Sequence, residues 1–248
     1  MELYKLEQYT DQLLDTARFR DYCPNGVQIE GRPEVSRLVS GVTASLDLLM
    51  AAIGVGADAI LVHHGYFWKN EDARIKGVKR IRIELLLRHN VSLLAYHLPL
   101  DAHSVLGNNA QLAQELGFVV EGGFGEQNIA CHGELKDTLP LCELGERVTR
   151  VLGRTPLIIG DRDRVVRRIA WCSGAAQGYF EEAIRLGVDA FLTGEISEQC
   201  VHLARETGVA FVAAGHHATE RYGVQALGAH LAQQFGINHQ FIDIDNPV

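Results

Sequence analysis

Four short stretches of this chain carry residues that could bind a metal ion. Each stretch begins with apolar or small residues typical of a buried strand and then changes to histidine or acid. The residues are His63 and His64 in ILVHHG, His97 and Asp101 in AYHLPLDAH, Glu195 in FLTGEIS, and His216 and Glu220 in AAGHHATE. Imidazole and carboxylate ligands of this kind suit zinc, iron, manganese or nickel, and ligand type alone does not select among them. The pattern predicts a metal centre.

Spacing assigns the parts of this centre. Adjacent side chains of an extended strand point to opposite faces, so we expect His63 and His64 to reach two ions, or one ion and a hydrogen-bonding partner. His216 and Glu220 are four residues apart, so they share one face if HHATE begins a helix. Asp101, expected on a loop, adds an oxygen ligand. Two ions about 3.5–4 Å apart that share a carboxylate are the usual hydrolytic arrangement.

Other residues keep two interpretations. His97 is either a ligand or a partner of a ligand, and Glu195 is either an acid of the site or a carboxylate at a helix start. Both are candidates for moving a proton in catalysis. Phe67 and Trp68 are interpreted as packing groups, with a base-stacking platform as the alternative. Cys172 in AWCSGAA is interpreted as a packing residue and not as a nucleophile.

Composition and missing motifs exclude several other classes. The formal net charge of −8 argues against a general binder of nucleic-acid backbones, which needs a basic surface. The sequence contains no GxxxxGK[ST], HExxH or GxSxG motif. No apolar run reaches the roughly 18 residues of a membrane helix, and the charged N-terminus does not resemble a signal peptide. The five cysteines form no CxxC pair, which favours reduced thiols and a cytoplasmic protein.

The elements that must position these residues follow an α/β pattern. Periodicity predicts helices near residues 2–15, 46–56, 80–90 and 108–117, with strands near 37–45, 57–64 and 91–98. Strands that alternate with helices indicate βαβ units, in which ligands collect at the carboxyl ends of the strands.

The second half of the chain repeats the order of the first. Residues 37–65 align without gaps on residues 168–196 at a constant shift of 131, and the identical pairs include Gly56/Gly187, Asp58/Asp189 and Ala59/Ala190. The repeat predicts an internal duplication that gives two similar α/β lobes, residues 1–122 and 123–248. Each lobe is expected to be a sheet flanked by helices, with the metal site between the lobes.

The motifs VHHG, HLPLDAHSVLGNNAQLA, LTGE and GHHATE, together with DYCPNGVQIEG and GVTAS near the start, resemble the YbgI-type dinuclear metal proteins, the GTP cyclohydrolase 1 type 2 homolog family. The resemblance extends over nearly the whole chain and implies the compact form of the family, without an inserted middle domain. It implies a homohexameric ring with metal pairs facing an inner cavity. The ligands that it implies are His63, His64, Asp101, His216 and Glu220.

These observations favour a metal-dependent hydrolase with two divalent ions per chain, acting on a small substrate such as a nucleotide or related heterocycle. His63 and His216 would be neutral nitrogen ligands, His64 and Asp101 further ligands, and Glu220 the shared carboxylate. The alternative is a ring-forming protein that stores or delivers metal, or serves as a scaffold, without catalysis. Nucleic-acid handling would require basic groups lining the assembled ring.

Overall fold

The computed structural model describes residues 1–248 and divides them into two compact units. The first unit is Met1–Leu100 with Gly223–Asp245, and the second is Asp101–Tyr222 with Asn246–Val248. The sequence placed the change of lobe between residues 122 and 123, whereas these units change at residues 100–101, 222–223 and 245–246. The difference arises because strand pairing, and not chain order, groups the segments.

Eleven strands and ten helices make up the two units. The strands are β1 (Gly26–Ile29), β2 (Arg37–Thr43), β3 (Ala59–His64), β4 (Ser92–Ala95), β5 (Phe118–Phe124), β6 (Ala130–Pro140), β7 (Leu157–Ile159), β8 (Val165–Trp171), β9 (Ala190–Thr193), β10 (Ala210–Ala213) and β11 (Asn238–Phe241). The helices are α1 (Leu3–Leu14), α2 (Leu46–Gly54), α3 (Gly77–His89), α4 (Leu98–Ala102), α5 (Asn108–Leu116), α6 (Leu141–Leu152), α7 (Phe180–Arg185), α8 (Glu198–Thr207), α9 (His216–Thr219) and α10 (Arg221–Phe235).

Most of the predicted elements are present, and the fold class is confirmed as α/β with two sheets flanked by helices. One expectation about the site is wrong. Asp101 was expected on a loop, but it lies in the short helix α4. Pro99 does not prevent this helix because a proline in the first turn removes an N–H that has no acceptor there.

The sheet of the first unit has the strand order β1-β4-β3-β2-β11. Its centre is parallel: β3 pairs with β2 and with β4, and Leu38 lies opposite Ala59. Strand β1 is antiparallel to β4 at one edge, and β11 pairs in parallel with β2 at the other. Its apolar core packs mainly residues of β2, β3 and β4 against α2 and α3. The carboxyl ends of β3 and β4 therefore carry His63, His64 and His97 side by side.

The sheet of the second unit has the order β5-β6-β8-β9-β10-β7. Strand β9 pairs in parallel with β8 and β10, and β7 is antiparallel to β10. Ile169 lies opposite Ala190, which reproduces at a shift of 131 the pairing of Leu38 with Ala59. The four strands β7-β10-β9-β8 thus repeat β1-β4-β3-β2, as a duplication predicts.

Each unit also has an aspartate before its central strand that binds the backbone at the start of the neighbouring parallel strand. Asp58 Oδ2 accepts hydrogen bonds from the backbone N–H groups of Ser36 and Arg37, at 2.8 and 2.9 Å. Asp189 Oδ2 accepts from the N–H groups of Arg167 and Arg168, at 3.0 and 2.9 Å. The sequence match of Asp58 with Asp189 therefore reflects a repeated structural role, which is to accept backbone hydrogen bonds, and not a role in the candidate site.

No helix of the chain combines the length and the apolar character that a membrane crossing requires. All five cysteines are free thiols.

Candidate metal centre

His63 and His64 end β3, the central strand of the first sheet. His63 is fully buried, and His64 is half-buried. Their ring centroids are only 4.6 Å apart, with the ring planes tilted by 47°. Strand alternation predicted that the two side chains diverge, but the rings lie side by side because His64 is the last residue of the strand. The two imidazole rings are therefore closer together than the spacing of His63 and His64 in the sequence predicted.

His97 completes a group of three imidazoles in the first unit. One ligand nitrogen from each of His63, His64 and His97 lies within 4.8 Å of the other two. His97 lies two residues after the end of β4, and β4 pairs with β3, so this grouping follows from the parallel sheet. The structure thus brings together three of the residues that the sequence singled out.

A protein oxygen lies beside Nδ1 of each of these three rings. His63 Nδ1 donates to the carbonyl oxygen of Tyr96 at 2.9 Å, and His64 Nδ1 lies 3.1 Å from Thr43 Oγ1. His97 Nδ1 donates to Asp21 Oδ1 at 2.7 Å. A histidine that donates from Nδ1 presents Nε2 as its ligand nitrogen, and such bonds are the usual support for metal-binding imidazoles. The three rings therefore fit a divalent transition metal in chemistry and in orientation.

Asp21 is a residue of this site that sequence reasoning did not single out. It is 4% exposed, and its position 76 residues before His97 gave no local signal. The stretch DYCPNG was interpreted only as part of the family resemblance. Burial alone would raise the pKa of the Asp21 carboxyl, but hydrogen bonds from His97, Asn25 and Tyr22 lower it below its usual value. Asp21 therefore remains a carboxylate beside His97.

Cys23 lies near this carboxylate and could be mistaken for a ligand. Its sulfur, an Asp21 oxygen and a His97 nitrogen lie within 4.8 Å of one another. Burial, and then the negative charge of Asp21, raise the pKa of the Cys23 thiol to about 12. A metal would have to displace that proton to bind the sulfur.

The second unit holds the acidic members of the predicted set. Asp101, in α4, is 6% exposed. Its Oδ1 accepts hydrogen bonds from Asn108 Nδ2 at 2.9 Å and from Ser173 Oγ at 3.0 Å. Asn108 begins α5, where periodicity predicted a helix, and its side chain contacts Asp101. These donors fix the orientation of the carboxylate.

His216 and Glu220 lie together at the short helix α9, as their spacing predicted. His216 Nε2 is 3.1 Å from Glu220 Oε2, and His216 Nδ1 donates to Glu195 Oε1 at 2.7 Å. Burial lowers the pKa of His216, but the two carboxylates raise it more, to about 9. Glu195 precedes the start of α8 by three residues and contacts His216, which favours its interpretation as an acid of the candidate site over that of a carboxylate at a helix start.

Gly174 leaves the space that Glu220 occupies. Its φ is +65°, and a Cβ built on it would lie 2.1 Å from Glu220 Oε1. Any side chain at this position would displace the carboxylate. Glycine is the usual residue where the backbone must approach another group this closely.

Three other sequence interpretations can be compared with the structure. Burial, followed by the charge of Asp101, raises the pKa of Cys172 well above its usual value, so this cysteine is a packing residue as predicted. Phe67 packs against the first core, as predicted. The ring of Trp68 lies 5.0 Å from that of His97 and 5.9 Å from that of His64, so Trp68 flanks the imidazoles.

Comparisons with known proteins agree with these features. The model of the Duf34/NIF3 (NGG1p interacting factor 3) family matches residues 1–247. A Pseudomonas aeruginosa protein named GTP cyclohydrolase 1 type 2 homolog is 56% identical over 248 residues, covering 99% of this chain and 98% of its own. The solved structure of protein ybgI has a TM-score of 0.96 at 49% identity, with full coverage of both chains.

A crystal structure of TTHA1606 from Thermus thermophilus is also similar, with a TM-score of 0.90 at 32% identity over the full length of both chains. The family model, the relative and both structures extend over all or nearly all of this chain, so no part of the α/β architecture lacks a counterpart. The chain therefore belongs to the Duf34/NIF3 (NGG1p interacting factor 3) family.

Proposed function

We propose that this protein is a metal-dependent hydrolase that acts on a small substrate such as a nucleotide or related heterocycle. The observation that carries the proposal is the group of His63, His64 and His97, each with a protein oxygen beside Nδ1. Ring nitrogens in a structural core have no need to converge in this way. Relatives that carry the name GTP cyclohydrolase 1 type 2 homolog support nucleotides as the first substrates to test.

The proposed ligands of two divalent ions per chain are His63, His64, Asp101, His216 and Glu220. His63 and His216 supply neutral nitrogens, and binding of the ion would have to displace the proton that Glu220 and Glu195 favour on His216. His64 and Asp101 are further ligands, and Glu220 is the shared carboxylate. Divalent ions bound by these ligands would supply Lewis-acid activation of a substrate oxygen and of a water nucleophile. Iron, zinc, manganese and nickel all suit these ligand types.

Residues of the chain itself would orient groups and move protons. The Asn108 and Ser173 donors fix Asp101, and Glu195 fixes His216 through its Nδ1. Glu195 is half-buried, so its carboxylate is accessible to solvent. Glu195 and His97 are the two candidates for general acid–base catalysis.

A screen of nucleotides and phosphoesters with metal-loaded protein tests the proposal. We expect sustained turnover of at least one compound, and its loss in His63→Ala, because His63 would be a direct ligand. His89→Ala is the matched control, since His89 is exposed at the end of α3. It should keep the wild-type rate.

A different outcome would favour the non-catalytic alternative. If the loaded protein turns over none of these compounds but binds and exchanges metal tightly, storage, delivery or a scaffold role replaces hydrolysis. Loss of turnover in both histidine variants would indicate a general loss of structure, and the role of His63 would then be unsupported.

We also propose that the chain assembles as a homohexamer in the cytoplasm. The family resemblance supports the assembly, and so do exposed apolar side chains on and before α3, namely Ile75, Val78, Ile81 and Leu87. Free thiols support a reducing compartment. Light scattering of the purified protein should give six times the 27.3 kDa mass of one chain. A monomer mass would contradict the ring.

A further inference from the structure

Tyr66 and Phe67 anchor the segment that follows β3. The Tyr66 side chain is buried, and its hydroxyl donates to the Ala44 carbonyl oxygen at 2.9 Å. Phe67 packs against the first core, and Lys79 Nζ lies 4.7 Å from the centroid of its ring. Both residues are therefore packing groups, and they fix where the next residue, Trp68, leaves the core.

The backbone of this segment is strained where it turns toward Trp68. Phe67 has a φ of +64°, in the left-handed region that a bulky side chain rarely adopts. Such a conformation persists only where the surrounding structure fixes it, and it is common at functional sites. The Trp68 N–H donates to Glu71 Oε2 at 3.1 Å, and the Lys69 N–H donates to the Tyr22 carbonyl oxygen at 2.6 Å. Trp68 is therefore held in place along the backbone.

The ring of Trp68 lies beside two imidazoles of the candidate metal centre without stacking flat on either. Its plane makes an angle of 87° with that of His97, at 5.0 Å between centroids, and of 54° with that of His64, at 5.9 Å. Trp68 is half-buried, so part of its surface is accessible. Tyr22 is 50% exposed, and its ring lies 6.4 Å from that of His97. Two accessible aromatic side chains thus flank the same imidazole.

We propose that Trp68 is the stacking wall for a planar heteroaromatic ring of the substrate, such as the base of a nucleotide. Aromatic side chains stack on such rings, and this contact tolerates different bases because every base has a π face. A ring stacked on Trp68 lies next to His64, a ligand in the proposed scheme. This assignment rests on the proposed metal-dependent function and names its substrate class. Trp68 determines specificity in it and neither binds metal nor moves a proton.

The proposal separates two residues that the sequence treated alike. Phe67 and Trp68 were both interpreted as packing groups, with base stacking as the alternative for both. Phe67 packs against the core, whereas the Trp68 ring lies beside His64 and His97. Base stacking is therefore assigned to Trp68 alone.

Binding of two probes to the metal-loaded, full-length protein tests the assignment by isothermal titration calorimetry. The probes are guanosine 5′-monophosphate (GMP) and ribose 5-phosphate, which lacks the base. Trp68→Ala should raise the Kd for GMP by about 5- to 150-fold, the effect of losing one base–aromatic stack. The Kd for ribose 5-phosphate should not change. Trp68→Phe keeps a flat ring, so it should weaken GMP binding less than Trp68→Ala does.

Tryptophan fluorescence gives a second readout. The chain has two tryptophans, and Trp171 is fully buried in the second core. GMP stacked on Trp68 should quench the emission of the wild-type protein, and this quenching should be absent in Trp68→Phe. Tyr4→Ala is the matched control, since Tyr4 is an exposed aromatic residue of the same unit, on α1. It should leave GMP binding and quenching unchanged.

Four results would overturn the assignment, and only the last also overturns the proposed function. An unchanged Kd for GMP in Trp68→Ala would show that the indole does not stack on the base. Equal weakening for both probes, or a loss of bound metal in Trp68→Ala, would show a general structural role. A wild-type protein that hydrolyses other phosphoesters but does not bind GMP would have a different substrate class. A loaded protein that neither binds nor turns over any of these compounds would contradict hydrolysis itself.

Discussion

The two units have the same scaffold but place different chemistry on it. Both contain the repeated set of three parallel strands with an antiparallel strand beside it, β1-β4-β3-β2 or β7-β10-β9-β8, and both use an aspartate, Asp58 or Asp189, to join strand starts. At the end of the central strand, however, His63 and His64 of the first unit correspond to Gly194 and Glu195 of the second. Equivalent positions in the core of the two units keep similar residues, whereas equivalent positions at the ends of the central strands carry different residues.

The next strand shows the same divergence. Ser92 of β4 and Ala210 of β10 pair with equivalent residues, Ala59 and Ala190, so the two strands can be aligned. On that alignment His97 corresponds to Gly215, whose φ of +99° disfavours any side chain. The first unit therefore offers imidazoles, and the second offers carboxylates with one imidazole. A duplicated fold can keep its core while its ligand groups change independently.

The strongest test of the comparison removes one carboxylate of the second unit, that of Glu220. In Glu220→Ala we expect at least one ion per chain to be lost, because the shared carboxylate is absent. Metal content after dialysis, measured by plasma mass spectrometry, checks this. Glu198→Ala is the control, since Glu198 is exposed and contacts only His202 among the ion pairs. Unchanged metal content in Glu220→Ala would disprove the bridging role.

A smaller effect is expected from filling the space beside Glu220. Gly174→Ala places a Cβ against the carboxylate at a positive φ, so we expect a loss of about 1–3 kcal/mol in the free energy of unfolding. Co²⁺ affinity should fall as well. Gly178→Ala, where no heavy atom lies within 4 Å of the added Cβ, should change neither quantity. If both glycine variants behave alike in urea unfolding and metal titration, the close fit at Gly174 has no functional meaning.

Substitutions of Asp58 and Asp189 test whether the two units depend on the same structural contacts. Asp58→Ala and Asp189→Ala should each lower the free energy of unfolding by about 1 kcal/mol, since two backbone N–H groups at exposed or half-buried positions lose their acceptor. Neither should alter metal content. Urea unfolding of both variants measures the effect. Destabilisation by only one of the two substitutions would contradict the idea that both units depend on the aspartate in the same way.

The smallest expected effect is a dependence on pH. Burial alone would raise the pKa of Asp189, but hydrogen bonds from Arg168, Arg167 and Arg164 lower it. Its contribution to stability is therefore present above the unfolded-state pKa, about 3.9, and is lost as the pH falls through the lower folded-state pKa. The difference in unfolding free energy between wild type and Asp189→Asn should shrink from pH 5 to pH 3. A constant difference would argue against this linkage.

Much of the fold could be predicted because its signals are local. Helical and strand periodicity placed α1, β2, β3 and α5, and the shift of 131 identified the repeat, since similar packing needs similar residues at the same points. The four-residue spacing of His216 and Glu220 correctly placed them together, because a helical turn fixes that distance.

Other features depended on contacts that no local pattern encodes. Strand β11 joins the first sheet from the far end of the chain, so the predicted boundary at residue 122 differs from the compact units. The convergence of His63 and His64 depends on the end of a strand, where alternation no longer separates neighbours.

By itself the sequence determined which residue types stand at the ends of the central strands, and therefore that the candidate metal ligands there are nitrogen and oxygen atoms. Only the tertiary structure decided which nitrogen each histidine offers. Asp21 fixes His97, and the Tyr96 carbonyl fixes His63, from positions 76 and 33 residues away along the chain. Hydrogen bonds between such distant residues depend on how the strands and loops pack, which residue spacing does not specify.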